Sequence, residues 1–217
     1  MDFEEVRLGD LVGVLTISKG FPTQRANPEG EVRVMSVAAL RNDSEPKLFA
    51  DPEDIGDLGL TPAEPGDVLI AVEGGTVGET IVVPDGLDEF VPSQQVATLR
   101  VMDNARLDPW FLGAWFATEP AREQIRRLAR GTGIQRVPIQ DLASLTVMLP
   151  PLADQQEIGR RFLAFEKAIQ GHRAVTACLQ DLRDTDLVVT FADANTQDVD
   201  GRQGRQHRAG LAQGAER

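Results

Sequence analysis

Leu149-Pro150-Pro151-Leu152-Ala153-Asp154-Gln155-Gln156-Glu157-Ile158 is the stretch whose reading decides the architecture. Paired prolines forbid regular helix or a central strand at that point and stiffen the chain into an extended segment. Asp154 is then placed to cap a helix, and Glu157 stands three residues on, where its carboxylate can return to the free amides. No proline interrupts the chain from Asp154 to Val189, so one long helix is expected. Ile158, Phe165, His172 and Leu179 recur every seven residues, as do Ala168, Val175, Leu182 and Val189. Interleaved, they form an a/d seam, with Arg161 at the preceding d and His172 as a polar a, and Phe162 and Ile169 widen it. Such a seam needs cover, either from a second helix or from the chain's own domain.

Upstream, short β-branched runs lie between turn signals: Val12–Ile17, Val32–Val37, Val68–Val72, Thr80–Val83 and Val96–Val101. Pro22–Gly30 reads as a polar loop and Asp43–Pro65 as an irregular stretch dense in acids and prolines. Asp108-Pro109 starts a helix through about Thr118, and Pro120 opens another through about Arg130, ended by Gly131. Leu145–Leu149 is a closing strand. The class is α+β, a mostly antiparallel β-rich domain with helices late. The boundaries expected are a domain over 1–150, a long spacer helix over 151–190 and a polar, disordered tail over 191–217.

The order of motifs makes a resemblance specific. Leu8-Gly9-Asp10, Pro65-Gly66-Asp67-Val68-Leu69-Ile70, Gly75-Thr76-Val77-Gly78, Ser93-Gln94-Gln95, Leu107-Asp108-Pro109-Trp110-Phe111-Leu112 and Gly131-Thr132-Gly133-Ile134-Gln135 precede the Pro-Pro segment. Together, over roughly residues 6 to 190, they resemble the DNA-specificity (S) subunit of type I restriction-modification systems. A full-length S subunit is a tandem of two recognition domains and two helices, and this chain resembles a half-subunit with one of each. The resemblance implies a non-catalytic protein that recognises one half-site of double-stranded DNA in the cytoplasm, within a phage-defence system. It further implies an adenine methyltransferase (modification) subunit as partner, with or without a restriction subunit. S-adenosylmethionine, and ATP where a restriction subunit exists, would be bound by those partners and no cofactor by this chain. Two copies pairing through antiparallel helices, a homodimeric coiled coil, would rebuild the tandem.

Composition narrows the field. No window approaches a membrane span, and the acidic N-terminus has no apolar run behind it, so neither a membrane anchor nor a secretory signal is expected. Cys178 is the single cysteine, and His172 and His207 are the only histidines, which argues against disulfides, zinc and a Ser-His-Asp set. The formal net charge of −12 opposes the usual nucleic-acid footprint. It is unevenly spread: residues 1–100 carry 19 acids and 7 bases, whereas 101–150 carry 5 acids and 6 bases. An acidic DNA mimic and a scaffold module for another defence or methylation complex are therefore the alternatives to be weighed.

Two motifs suggest chemistry and are better read as structure. Asp108-Pro109-Trp110-Phe111 resembles the amine-gripping loop of methyltransferases but lacks the second proline, so a helix N-terminus explains it. Gly74-Gly75-Thr76-Val77-Gly78 lacks the lysine of a phosphate loop and sits between strands, as a bulged hairpin would. The positive signal is Arg122, Arg126 and Arg130 at i, i+4, i+8, followed by a turn through Gly131 and Gly133 carrying Thr132, then Gln135 and Arg136. Guanidinium groups bind phosphate or read guanine, and glutamine reads adenine. A solvated helix face with a capping turn is the bland alternative. Lys19, Arg25, Arg41 and Asn42 are further DNA candidates from the early loops.

Overall fold

The computed structural model describes residues 3–42 and 44–213, with side chains as far as residue 188. Contacts divide the chain into Met1–Ala164 and Phe165–Arg217.

The first unit is organised about a four-stranded antiparallel sheet in the order β2-β8-β5-β6, with β2 at Leu15–Lys19, β5 at Val68–Ala71, β6 at Thr80–Val82 and β8 at Val96–Val101. Central β5 is buried on both faces, which explains its unbroken apolar run. Val68 and Ile70 face one core and Leu69 and Ala71 another, the two-residue period of a strand. The first core is closed by α3 (Pro109–Phe116), α4 (Glu119–Leu128) and α5 (Ile139–Leu142), which contribute Phe111, Leu112, Phe116, Ile125 and Leu142. The second lies toward β3 (Val32–Met35), α1 (Val37–Arg41) and β7 (Phe90–Pro92). β3 centres a second sheet, antiparallel to β4 (Leu48–Ala50) and parallel to β7. That sheet's far face packs on α2 (Pro52–Asp57) through Val32, Val34, Ala50 and Ile55.

Local chemistry accounts for the helix starts. Asp108 Oδ1 accepts the Phe111 amide at 2.8 Å and Thr118 Oγ1 the Ala121 amide at 3.4 Å, each followed by a proline whose missing N–H costs nothing there. A charged knot ties the Thr61–Asp67 loop to β8. Buried Asp67 takes Arg100 Nε at 2.8 Å and Nη2 at 2.7 Å, while Nη1 reaches Glu64 at 2.7 Å and Nη2 the Pro62 carbonyl at 2.8 Å. The hydrogen bonds that Arg100 donates to Asp67 raise its pKa, against the lowering effect of burial.

The structure corrects several expectations. The Val32–Val37 run ends at Met35, because the Ser36 hydroxyl accepts the Ala39 amide and starts α1. The acid-rich 43–65 stretch contains β4 and α2. A strand unmarked by alternation, β1 (Glu4–Arg7), pairs antiparallel with β9 (Thr146–Leu149). α4 stops at Leu128, since Ala129 is extended and its amide bonds the Arg126 carbonyl. Arg130 therefore does not share a helix face with Arg122 and Arg126.

The last helix, α6, spans Leu152–Gln213. It begins earlier than Asp154, which lies in its first turn rather than at its cap, where the charge still complements the helix dipole. It also runs through the 191–213 stretch read from composition as disordered. Side chains of that tail, and all of 214–217, lie outside the described residues.

Candidate nucleic-acid interface

Candidate residues far apart in sequence meet at one end of the four-stranded sheet. Lys19 ends β2 and pairs with Ala97 near the start of β8. Gln94 and Gln95 lie just before β8, and the Gln95 carbonyl accepts the Val72 amide at 2.8 Å. The Val72 carbonyl accepts the Val137 amide at 2.8 Å, and Gly74 N–H bonds the Gln135 carbonyl at 2.9 Å. The segment around Gln135 and Arg136 thus continues the sheet past β5. Lys19, Gln95, Gln135 and Arg136 are all exposed there.

Residues 130–136 form a small hairpin. The Arg130 and Arg136 backbones exchange two hydrogen bonds of 2.9 Å, and every residue from Gly131 to Arg136 is exposed, with Ile134 71% exposed. Gly131 carries φ of +108°, and a Cβ there would lie 2.6 Å from the Ile134 carbonyl oxygen, so only glycine closes this turn without strain. Gly133 has open space around it and no such backbone angle, so the turn depends on Gly131 alone.

The arginines are already paired with acids. Arg136 Nε and Nη2 donate to Glu73 Oε2 at 2.9 and 2.6 Å. Arg130 Nη2 meets Asp141 at 2.5 Å, and Arg126 bonds both Glu119 and Glu123. The Glu119 carboxylate, more than Glu123, raises the Arg126 pKa, so its charge is fixed at any working pH. The Arg126 pairs, exposed on both sides, are weak, so phosphate can exchange for carboxylate there. Arg122 is different: half-buried, its Nε enclosed without a hydrogen-bond partner among the described residues, and its backbone under Gly78.

The early-loop candidates do not form one group. Arg41 bonds the Thr80 carbonyl at 2.7 Å and lies 3.8 Å from Glu79, near the shared sheet end. Asn42 is the exposed C-cap of α1. Arg25 pairs with Asp54 of α2 at 3.3 Å, over the second sheet, away from the others. Sequence reading missed Glu73, Gln94 and Gln95 as site residues. The Ser93-Gln94-Gln95 motif was their signal, but only strand pairing places it beside Arg136.

The helix seam divides. Ile158 and Phe162 pack against the first core, so they belong to the domain rather than to a free seam. Phe165, Ala168, His172, Val175, Leu179 and Leu182 are exposed, Phe165 by 64% and Leu182 by 62%. The joint beneath is tight. Buried Gln155 accepts the Asp108 amide at 3.0 Å and donates to the Pro150 carbonyl at 2.9 Å, while Gly159 lies where a Cβ would stand 2.4 Å from Asp108 Oδ1.

A family model, the type I restriction modification DNA specificity domain, matches residues 1–178. This chain belongs to that family. The fold agrees with solved S subunits. One from M. genitalium is 18% identical, with a TM-score of 0.56 over 79% of this chain and 41% of that one. The HsdS subunit from Thermoanaerobacter tengcongensis is 23% identical, at 0.51 over 78% and 38%. A third chain, from work on complex assembly and conformational transition of the type I R-M system, is 24% identical, at 0.54 over 81% and 41%. The present chain therefore spans about two-fifths of the length of these three solved chains. No curated protein sequence matches it. Among the described residues, no cluster of potential ligands could hold a metal ion, and no helix is long and apolar enough to cross a membrane.

Proposed function

We propose that this specificity domain reads one DNA half-site with the sheet end around Lys19, Gln94, Gln95 and the 130–136 hairpin, and performs no catalysis itself. The observation that carries the reading is the convergence of those side chains at one exposed edge in a chain of this family. Thr132, Gln135 and Arg136 take the base-facing role, and Lys19, Arg126, Arg130 and Arg41 the phosphate-facing one. Adenine methylation belongs to a partner subunit using S-adenosylmethionine, with ATP needed only where a restriction subunit joins. The exposed stripe Phe165–Leu182 joins a second copy or the methyltransferase subunit. The acidic surface leaves most phosphate contact to that partner, which favours this reading over an inhibitor that imitates DNA, since a mimic has no use for the hairpin arginines.

The test uses the assembled complex at moderate salt, on a duplex chosen by mapping methylated adenines in a host carrying the gene and its neighbours. Gln135→Ala and Arg136→Ala should each alter the preferred sequence by about 1–3 kcal/mol with non-specific binding retained. Lys19→Ala and Arg130→Ala should weaken binding on all duplexes and reduce the salt slope by roughly one each. Wild-type behaviour of all four on cognate and scrambled DNA would sink the reading. For assembly, Phe165→Asp with Leu179→Asp should abolish self-association or methyltransferase binding in sedimentation, costing several kcal/mol, on the order of a buried unpaired charge.

A further inference from the structure

We propose that Glu73 is a positioning residue that aims the Arg136 guanidinium at a guanine of the DNA half-site; this rests on the hairpin reading proposed above. Glu73 stands between two residues fixed by the sheet, since Val72 is bonded on both sides, to Gln95 and Val137, and Gly74 bonds Gln135. Its side chain is only 17% exposed, whereas that of Arg136 is 60% exposed. Arg136 is fixed as well, through both backbone bonds to Arg130. Neither partner of the ion pair is free to wander.

The geometry of the pair leaves a specific edge open. Glu73 Oε2 takes Nε and Nη2 of Arg136. A guanidinium has five N–H donors in a planar fork. Nη1 and the second hydrogen of Nη2 have no acceptor among the described residues, and together they form the parallel pair that matches O6 and N7 of guanine. A guanidinium already oriented by a carboxylate loses less rotamer freedom on contact, which sharpens the preference for the one base that fits. Arg126 is held otherwise, by Glu119 and Glu123 of its own helix, both well exposed. The carboxylate at Glu73 also repels phosphate, so the pair adds selectivity and little sequence-independent affinity.

That last point separates aiming from mere structural support. The probe is a library of duplexes with randomised positions, selected by the full-length chain in complex with its methyltransferase subunit. Wild type should enrich guanine at one position, and Arg136→Ala and Arg136→Lys should each lose that enrichment by roughly tenfold or more. Glu73→Ala should lose most of it while binding to scrambled duplex stays equal or tightens. Glu73→Gln, which keeps an accepting oxygen, should retain more guanine preference than Glu73→Ala. Unchanged enrichment in Glu73→Ala, or equal weakening on selected and scrambled duplexes, overturns the inference and leaves the hairpin reading standing. Arg136→Lys keeps the ion pair and the fold, so wild-type selectivity in that variant also overturns it. If Arg136→Ala keeps the full preference, the base-facing role proposed above for Arg136 has failed, and the inference with it.

Discussion

The joint at the root of α6 and the 130–136 hairpin both carry motif residues of the family, yet they use them in opposite directions. At the joint, Gln155 is 3% exposed and bonds across to the start of α3, and Gly159 is small because Asp108 and Phe111 stand against it. In the hairpin, every residue from Gly131 to Arg136 is exposed and only Gly131 answers a demand of the backbone. One set of residues is consumed in making the fold; the other is presented by it. A family motif is therefore not in itself a sign of ligand contact. Burial and hydrogen-bond satisfaction decide which kind it is.

Substitutions can break this contrast, beginning at the joint. Gln155→Ala should leave the Asp108 amide and the Pro150 carbonyl without their partner, a loss of about 3 kcal/mol in unfolding free energy, checked by denaturant titration. A loss below about 0.5 kcal/mol, within the range of ordinary surface changes, would mean that the joint is as dispensable as a surface. Gly159→Ala comes next. Its methyl meets the Asp108 carboxylate and the Phe111 amide, and overpacking of this kind costs about 2 kcal/mol, visible as a lower Tm. Gly131→Ala has the smallest effect on stability, about 1 kcal/mol from the left-handed backbone, and should blunt discrimination between DNA sequences while leaving the fold intact. If it lowered Tm as far as the joint variants do, the hairpin would be a structural clasp.

Much of the fold could be read from residue types. The β-branched runs became β2, β3, β5, β6 and β8, and Asp108-Pro109 and Thr118-Glu119-Pro120 opened the late helices. What escaped had no local signature. β1 is Glu-Glu-Val-Arg, mostly exposed, and is a strand only because β9 lies beside it. α1 hid inside an apolar run, its start set by one serine hydroxyl. The candidate site was half legible: Gln135 and Arg136 stood out beside their glycine turn, but Glu73, Gln94 and Gln95 join them through pairings between residues dozens of positions apart. The expected row of arginines on one helix face failed at Arg130, because the helix ended two residues early.

The β1–β9 pair brings Glu4 opposite Leu149 and Arg7 opposite Thr146. Facing residues on antiparallel strands stand roughly 5 Å apart, so the domain is entered and left through a single doorway. All the DNA contacts proposed above, from Lys19 to Arg136, hang between those two strands as one loop of chain. Such a body is a portable cassette: it can be exchanged for another of the same doorway, provided that the newcomer keeps the start of α3 against which Gln155 and Gly159 of the following helix are fitted.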